Sequence, residues 1–105
     1  MTVEVLYVPG CPNYRPALER IQKVLTSERL QAEVREISVS SAAQAAGLNF
    51  PGSPTIRVNG EDVAPDEASR PGLACRLYAN QSGVPSEEAL RSAVLRAREG
   101  RHESR

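Results

Sequence analysis

The stretch Val3-Glu4-Val5-Leu6-Tyr7-Val8-Pro9-Gly10-Cys11-Pro12-Asn13-Tyr14 reads as a strand that hands a cysteine to the start of a helix. Val3, Val5, Leu6, Tyr7 and Val8 are β-branched, branched or aromatic, the mix of a strand buried over most of its length. Pro9-Gly10 stops the strand and turns the chain. Pro12 suits the first helical position, where its missing N–H costs nothing. Cys11 would then lie beside unpaired backbone N–H groups at the positive end of a helix dipole, which favours a thiolate. Arg15, four residues on, is a candidate cationic neighbour for that thiol and otherwise an ordinary solvated helix residue. A reactive thiol is the reading this position favours; a buried, inert cysteine is the alternative.

The rest of the chain supports an α/β reading. Tyr14, Leu18, Ile21 and Leu25 recur at helical spacing, and Ala17 and Val24 widen the stripe. Pro16 implies a loose first turn or a helix beginning at Pro16, with its end near Arg29. Gln31 to Val39 alternates as a second strand, with a slip at Arg35-Glu36 that a bulge would absorb. Ser40 or Ser41 caps a short alanine-rich helix through Ala46, ended by Gly47. Strand, helix, strand, helix in that order implies a parallel pair of strands.

Thr55-Ile56-Arg57-Val58 is a third strand, and Asn59-Gly60 predicts a type I′ hairpin returning through Glu61 to Ala64. Pro54 is tolerated at the entrance to the strand, where no N–H is needed for the ladder. Ser86 caps a last helix with Glu87 and Glu88 in its first turn and Leu90, Ala93, Val94 and Ala97 as its apolar stripe. Residues 65–83 follow no period and hold the second cysteine in Leu73-Ala74-Cys75-Arg76-Leu77-Tyr78. A loop of this length is functional or hides a turn of structure, and its Pro and Gly residues suggest a segment that moves at low cost. The tail from 100 to 105 is expected to fray.

The 105 residues are read as one domain, 1–105. Thirteen Lys and Arg balance thirteen Asp and Glu and are interspersed, so nothing points to nucleic acid or an anionic membrane as partner. The chain opens on a strand rather than a signal-like segment, and no apolar run nears the ~18 residues of a membrane span. The expected location is therefore the cytoplasm, where two cysteines serve reactivity or metal binding more often than a structural disulfide. No cofactor motif is present, and no Cys/His cluster has zinc spacing. His102, the only histidine, sits in the tail, away from any nucleophile–base pair.

The order of elements resembles the thioredoxin fold, a mixed four-stranded sheet in a βαβα-ββα arrangement with flanking helices. Cys11-Pro12-Asn13-Tyr14, Ser53-Pro54-Thr55 and the Asn59-Gly60 hairpin carry the resemblance. More narrowly, the chain is similar to small bacterial thioredoxin-like proteins that join a C-P-N-Y motif to G-S-P-T-I-x-V-N-G and C-R-x-Y stretches. Some of these are selenoproteins at the first cysteine position, and some carry an organomercurial-lyase label. The resemblance implies a cis Ser53-Pro54 bond, with Ser53, Pro54 and Thr55 facing Cys11 and binding substrate. The backbone of residue 53 would then accept a substrate chain as an added strand.

The chain departs from C-x-x-C in having Tyr14 at the second cysteine position, so a mixed disulfide at Cys11 needs another sulfur to resolve it. The leading expectation is a thiol–disulfide oxidoreductase or thiol-dependent reductase. Cys11 is its nucleophile, Cys75 or an external thiol resolves it, and a protein or low-molecular-weight disulfide is its substrate. One alternative is a soft-metal protein holding mercury or copper between Cys11 and Cys75. Another is a redox-inactive module that binds a protein through the Pro54 edge. Two side chains stay open. Cys75 is a resolving thiol, a metal ligand or a half-buried small apolar residue, and Tyr14 either packs in the helix stripe or donates its hydroxyl to the thiolate.

Overall fold

A computed structural model describes residues 1–65, 71–78 and 82–103. The elements run β1 (Thr2–Tyr7), α1 (Tyr14–Ser27), β2 (Glu33–Ser38), α2 (Ala42–Leu48), β3 (Thr55–Val58), β4 (Glu61–Asp62) and α3 (Glu87–Glu103). They form an α/β structure around one mixed sheet in the order β2-β1-β3-β4. β1 runs parallel to β2 and antiparallel to β3, and β3 pairs antiparallel with β4.

β1 is apolar nearly throughout because both of its faces are covered. Val3 and Val5, with Ile56 and Val58 opposite them on β3, join one cluster with Ile21 and Val24 of α1 and Leu90 and Val94 of α3. Leu6 points the other way and joins Val39, Ala45 of α2 and Phe50. Fully burying side chains such as Leu6, Ile56 and Phe50 contributes about 1.5–3 kcal/mol each. This two-sided burial makes the sheet the rigid platform from which the β1–α1 turn projects.

Several local expectations hold. Asn59 and Gly60 both have positive φ, 51° and 87°, as a type I′ turn requires. The Ser86 hydroxyl accepts from the Ala89 N–H and caps α3. Ser41, rather than Ser40, caps α2 by accepting from Gln44.

Others are corrected. α1 starts at Tyr14, not Pro12 or Pro16, because Pro16 falls in the first turn, where no N–H is called for. It ends at Ser27, closed by Arg29 at φ 55° and by the Leu30 N–H bonding to the Leu25 carbonyl at 2.9 Å. α2 runs through Gly47 to Leu48, and Asn49 takes the left-handed cap instead. β2 has no bulge: it pairs residue for residue with β1 from Glu33 to Ser38. Val34 packs toward the α1–α3 cluster and Ile37 toward the α2 cluster, so the slip in alternation is a change of face on an edge strand. β4 stops at Asp62, and α3 continues to Glu103 where fraying was expected from 100. Residues 66–70 and 79–81, part of the irregular stretch, and the last two tail residues, 104 and 105, lie outside the described residues.

Candidate functional site

The C-terminal end of β1 and the entrance to β3 meet at one end of the sheet, on its two central strands. Past Tyr7, the Val8 N–H donates to the Ser53 hydroxyl at 3.0 Å, and the Val8 carbonyl accepts from the Cys11 N–H at 3.0 Å. Gly10, at φ 85°, makes this tight Val8–Cys11 turn possible. A second turn follows, with the Tyr14 N–H on the Cys11 carbonyl at 3.3 Å, and Asn13 is the residue preceding α1. Cys11 therefore stands two residues ahead of the helix cap rather than in the first helical turn. It is half-buried and a free thiol.

Tyr14 lies flat on Tyr7, ring centroids 3.8 Å apart and planes inclined by 14°, and packs against the α1–α3 cluster. The stack ties the start of α1 to the end of β1 across the intervening turns that hold Cys11. Arg15 is exposed, and its side chain makes no hydrogen bond or ion pair among the described residues.

The Ser53-Pro54 bond is cis. Ser53, Pro54 and Thr55 are all buried, and residues 74–78 cover them. The Ser53 N–H donates to the Ala74 carbonyl at 2.9 Å, and the Ser53 carbonyl accepts from the Arg76 N–H at 3.0 Å, a parallel bridge that sets Cys75 alongside Ser53. The Tyr78 hydroxyl donates to the Pro54 carbonyl at 2.6 Å. Thr55 donates its hydroxyl to the Gly52 carbonyl at 2.7 Å and accepts from Arg76 at 3.1 Å. The S-P-T and C-R-x-Y motifs are thus one interlocked unit.

Arg76 anchors that unit. Its side chain is 1% exposed and reaches both carboxylate oxygens of Asp62, at 2.8 and 3.0 Å, and the Ala64 carbonyl at 2.8 Å. The guanidinium also lies over the Tyr78 ring, 4.5 Å from its centroid. Breaking a buried pair of this kind costs about 3–5 kcal/mol. Gly52, at φ 134°, lets the two segments close up: a Cβ there would stand 3.0 Å from the Arg76 Cβ and 3.1 Å from the Ala74 carbonyl oxygen. The segment is held fast, contrary to the expectation of a loop that moves at low cost.

From Cys75 to Tyr78, alternation decides which side chains face water. Arg76 and Tyr78 are buried; Leu73, Cys75 and Leu77 are exposed, Leu77 at 66%. Cys75 is thus an exposed thiol on a segment bridged to Ser53, not a half-buried packing residue. Arg76, Tyr78 and Asp62 were not anticipated as site residues. The one local trace of them is the period-two pattern of C-R-x-Y, and their partners lie 12 to 24 residues away in sequence.

Among the described residues no group of three or more His, Cys, Asp or Glu side chains is placed to hold a metal ion. No helix among them is long and apolar enough to cross a membrane. Comparisons with protein-family models, curated proteins and solved structures return no match.

Proposed function

We propose that this chain is a thiol–disulfide oxidoreductase of thioredoxin-like architecture, with Cys11 as nucleophile and Cys75 as resolving thiol. One observation carries the reading: Ser53 is hydrogen-bonded both to Val8, whose carbonyl holds Cys11, and to the strand bearing Cys75. Ser53 thus links the turn that carries Cys11 to the segment that carries Cys75, and both cysteines are free thiols. The βαβα-ββα order, the cis Ser53-Pro54 bond and the thiol turn after β1 agree with the thioredoxin resemblance.

In the reaction, the Cys11 thiolate attacks one sulfur of a substrate disulfide. A bond forms between Cys11 and that sulfur, and the other half of the substrate leaves as a thiolate that takes up a proton. The Cys75 thiolate then attacks the Cys11 sulfur and expels the second half as a thiol. Two electrons pass from the Cys11–Cys75 dithiol to the substrate, and an external thiol reductant returns the protein to its dithiol form. Tyr14 has no sulfur to offer, so it packs while Cys75 resolves. Adjustment toward the bonding distance falls to the exposed Pro9-Gly10 turn, since Arg76 and Tyr78 fix the other side.

Reduced protein mixed with bis(2-hydroxyethyl) disulfide tests the reading. The wild type is expected to release two small thiols per chain. Cys75→Ser should release one and retain a mixed disulfide at Cys11, and Cys11→Ser should release none on the same timescale. Undiminished release from Cys11→Ser would overturn the assignment. Tight retention of one mercury(II) or copper(I) per chain without thiol release would favour the metal-binding alternative.

A further inference from the structure

We infer that the site takes low-molecular-weight disulfides rather than extended polypeptides, because the chain's own residues 74–76 already occupy the strand-pairing edge at Ser53. This rests on the oxidoreductase reading and narrows its substrate class. A polypeptide docking by strand addition needs a free N–H and a free carbonyl on the accepting residue. Ser53 has neither: its N–H is on the Ala74 carbonyl and its carbonyl takes the Arg76 N–H. The Pro54 carbonyl, next along, is taken by the Tyr78 hydroxyl.

The occupying strand is not a flap that a substrate displaces. Lifting it would part the Arg76 guanidinium from Asp62, Thr55 and the Ala64 carbonyl and break the close packing of Gly52 on Arg76. An uncompensated buried charge costs more than the two backbone hydrogen bonds an incoming strand would return. The next pairing edge lies beyond Cys75, whose own N–H and carbonyl face away from Ser53 and have no partner among the described residues. A peptide pairing there would be a further strand spacing from Ser53 and would present its sulfur to Cys75 instead of Cys11. What remains open to an incoming sulfur is the half-buried Cys11 and the exposed Cys75 between the exposed Leu73 and Leu77. Those are surfaces that a small disulfide meets through its sulfurs and carbon chains, without strand pairing.

The test compares three probes with reduced wild-type protein. They are bis(2-hydroxyethyl) disulfide, a ten-residue peptide whose single cysteine is capped with 2-mercaptoethanol, and the same peptide N-methylated on both sides of its cysteine. The small disulfide is expected to react at least tenfold faster than either peptide, and the two peptides to react within twofold of each other. A peptide that reacts as fast as the small probe and is slowed tenfold by N-methylation would overturn the inference, since its backbone would then be pairing at the site. Cys11→Ser run alongside separates a failure of the substrate class from a failure of the thiol chemistry itself. Reaction of the small probe that does not depend on Cys11 overturns the oxidoreductase reading and the substrate class with it. Cys11-dependent reaction with N-methyl-sensitive peptides overturns the substrate class alone.

Discussion

Arg76 and Asp62 form a two-bonded ion pair at 2.8 and 3.0 Å, with the arginine side chain 1% and the aspartate 14% exposed. The pair fastens the Cys75 segment to β4, and its geometry fixes its cost. The Arg76 Nε is buried and has no hydrogen-bond partner among the described residues, so within them the arrangement carries an unmet donor as well as two desolvated charges. Asp62→Leu alone is expected to lower unfolding free energy by about 3–5 kcal/mol, because it strands a buried guanidinium. Arg76→Met combined with Asp62→Leu should recover part of that loss. Urea titration of the three proteins checks both statements.

Gly52→Ala tests the close contact between the two motifs. The substitution puts a side chain at φ 134° and drives a Cβ to 3.0 Å from Arg76. A loss of about 1–3 kcal/mol is expected from the backbone conformation, before the clash is added. Hydrogen exchange of the Ser53 and Arg76 amides should accelerate together, as both belong to the bridge that the new methyl group wedges apart.

Elements governed by local chemistry were legible from residues alone: the Asn59-Gly60 turn, the Ser86 cap, the β1 strand and the Cys11 turn that follows it. Boundaries that depend on partners were not. Whether Arg35-Glu36 is a bulge or a change of face depends on what covers each side of β2. Gly47 looks like a helix end until Asn49 is seen to take the cap. The largest omission at the site was Arg76, whose role depends on Asp62 and Thr55, 14 and 21 residues away. In a string of letters, an arginine in a Pro- and Gly-rich loop is indistinguishable from a solvated one.

Tyr14 separates a packing role from a hydroxyl role. Its ring stacks on Tyr7 with centroids 3.8 Å apart. A double-mutant cycle with Tyr7→Leu and Tyr14→Leu should give a coupling of about 0.5–1.5 kcal/mol. Tyr14→Phe keeps the ring and should leave both stability and thiol release from small disulfides close to wild type. A marked loss of release with stability intact would assign the hydroxyl a part in the chemistry.

The Lys23 ammonium donates to Glu87 at 2.9 Å across the α1–α3 contact and holds that carboxyl below its ordinary value, with Arg91 and Arg20 adding smaller pulls in the same direction. A carboxyl whose folded pKa is depressed adds stability above its unfolded pKa and loses it as pH falls through the folded one. The contribution is therefore present at neutral pH and disappears in acid. Lys23→Gln should move the Glu87 titration, followed by NMR, upward toward the ordinary carboxylate range.

If Cys75 resolves the mixed disulfide at Cys11, the two thiols together give up two electrons and close a disulfide within one chain, which peptide mapping after oxidation with one equivalent of diamide detects. The expected product is a monomer whose single disulfide joins the peptides containing Cys11 and Cys75. That bond closes a loop spanning residues 11 to 75. It should raise unfolding free energy by about 4 kcal/mol, a gain absent from Cys75→Ser. Disulfides found only between chains, or small-thiol adducts on Cys11 with Cys75 still free, would contradict the resolving role of Cys75.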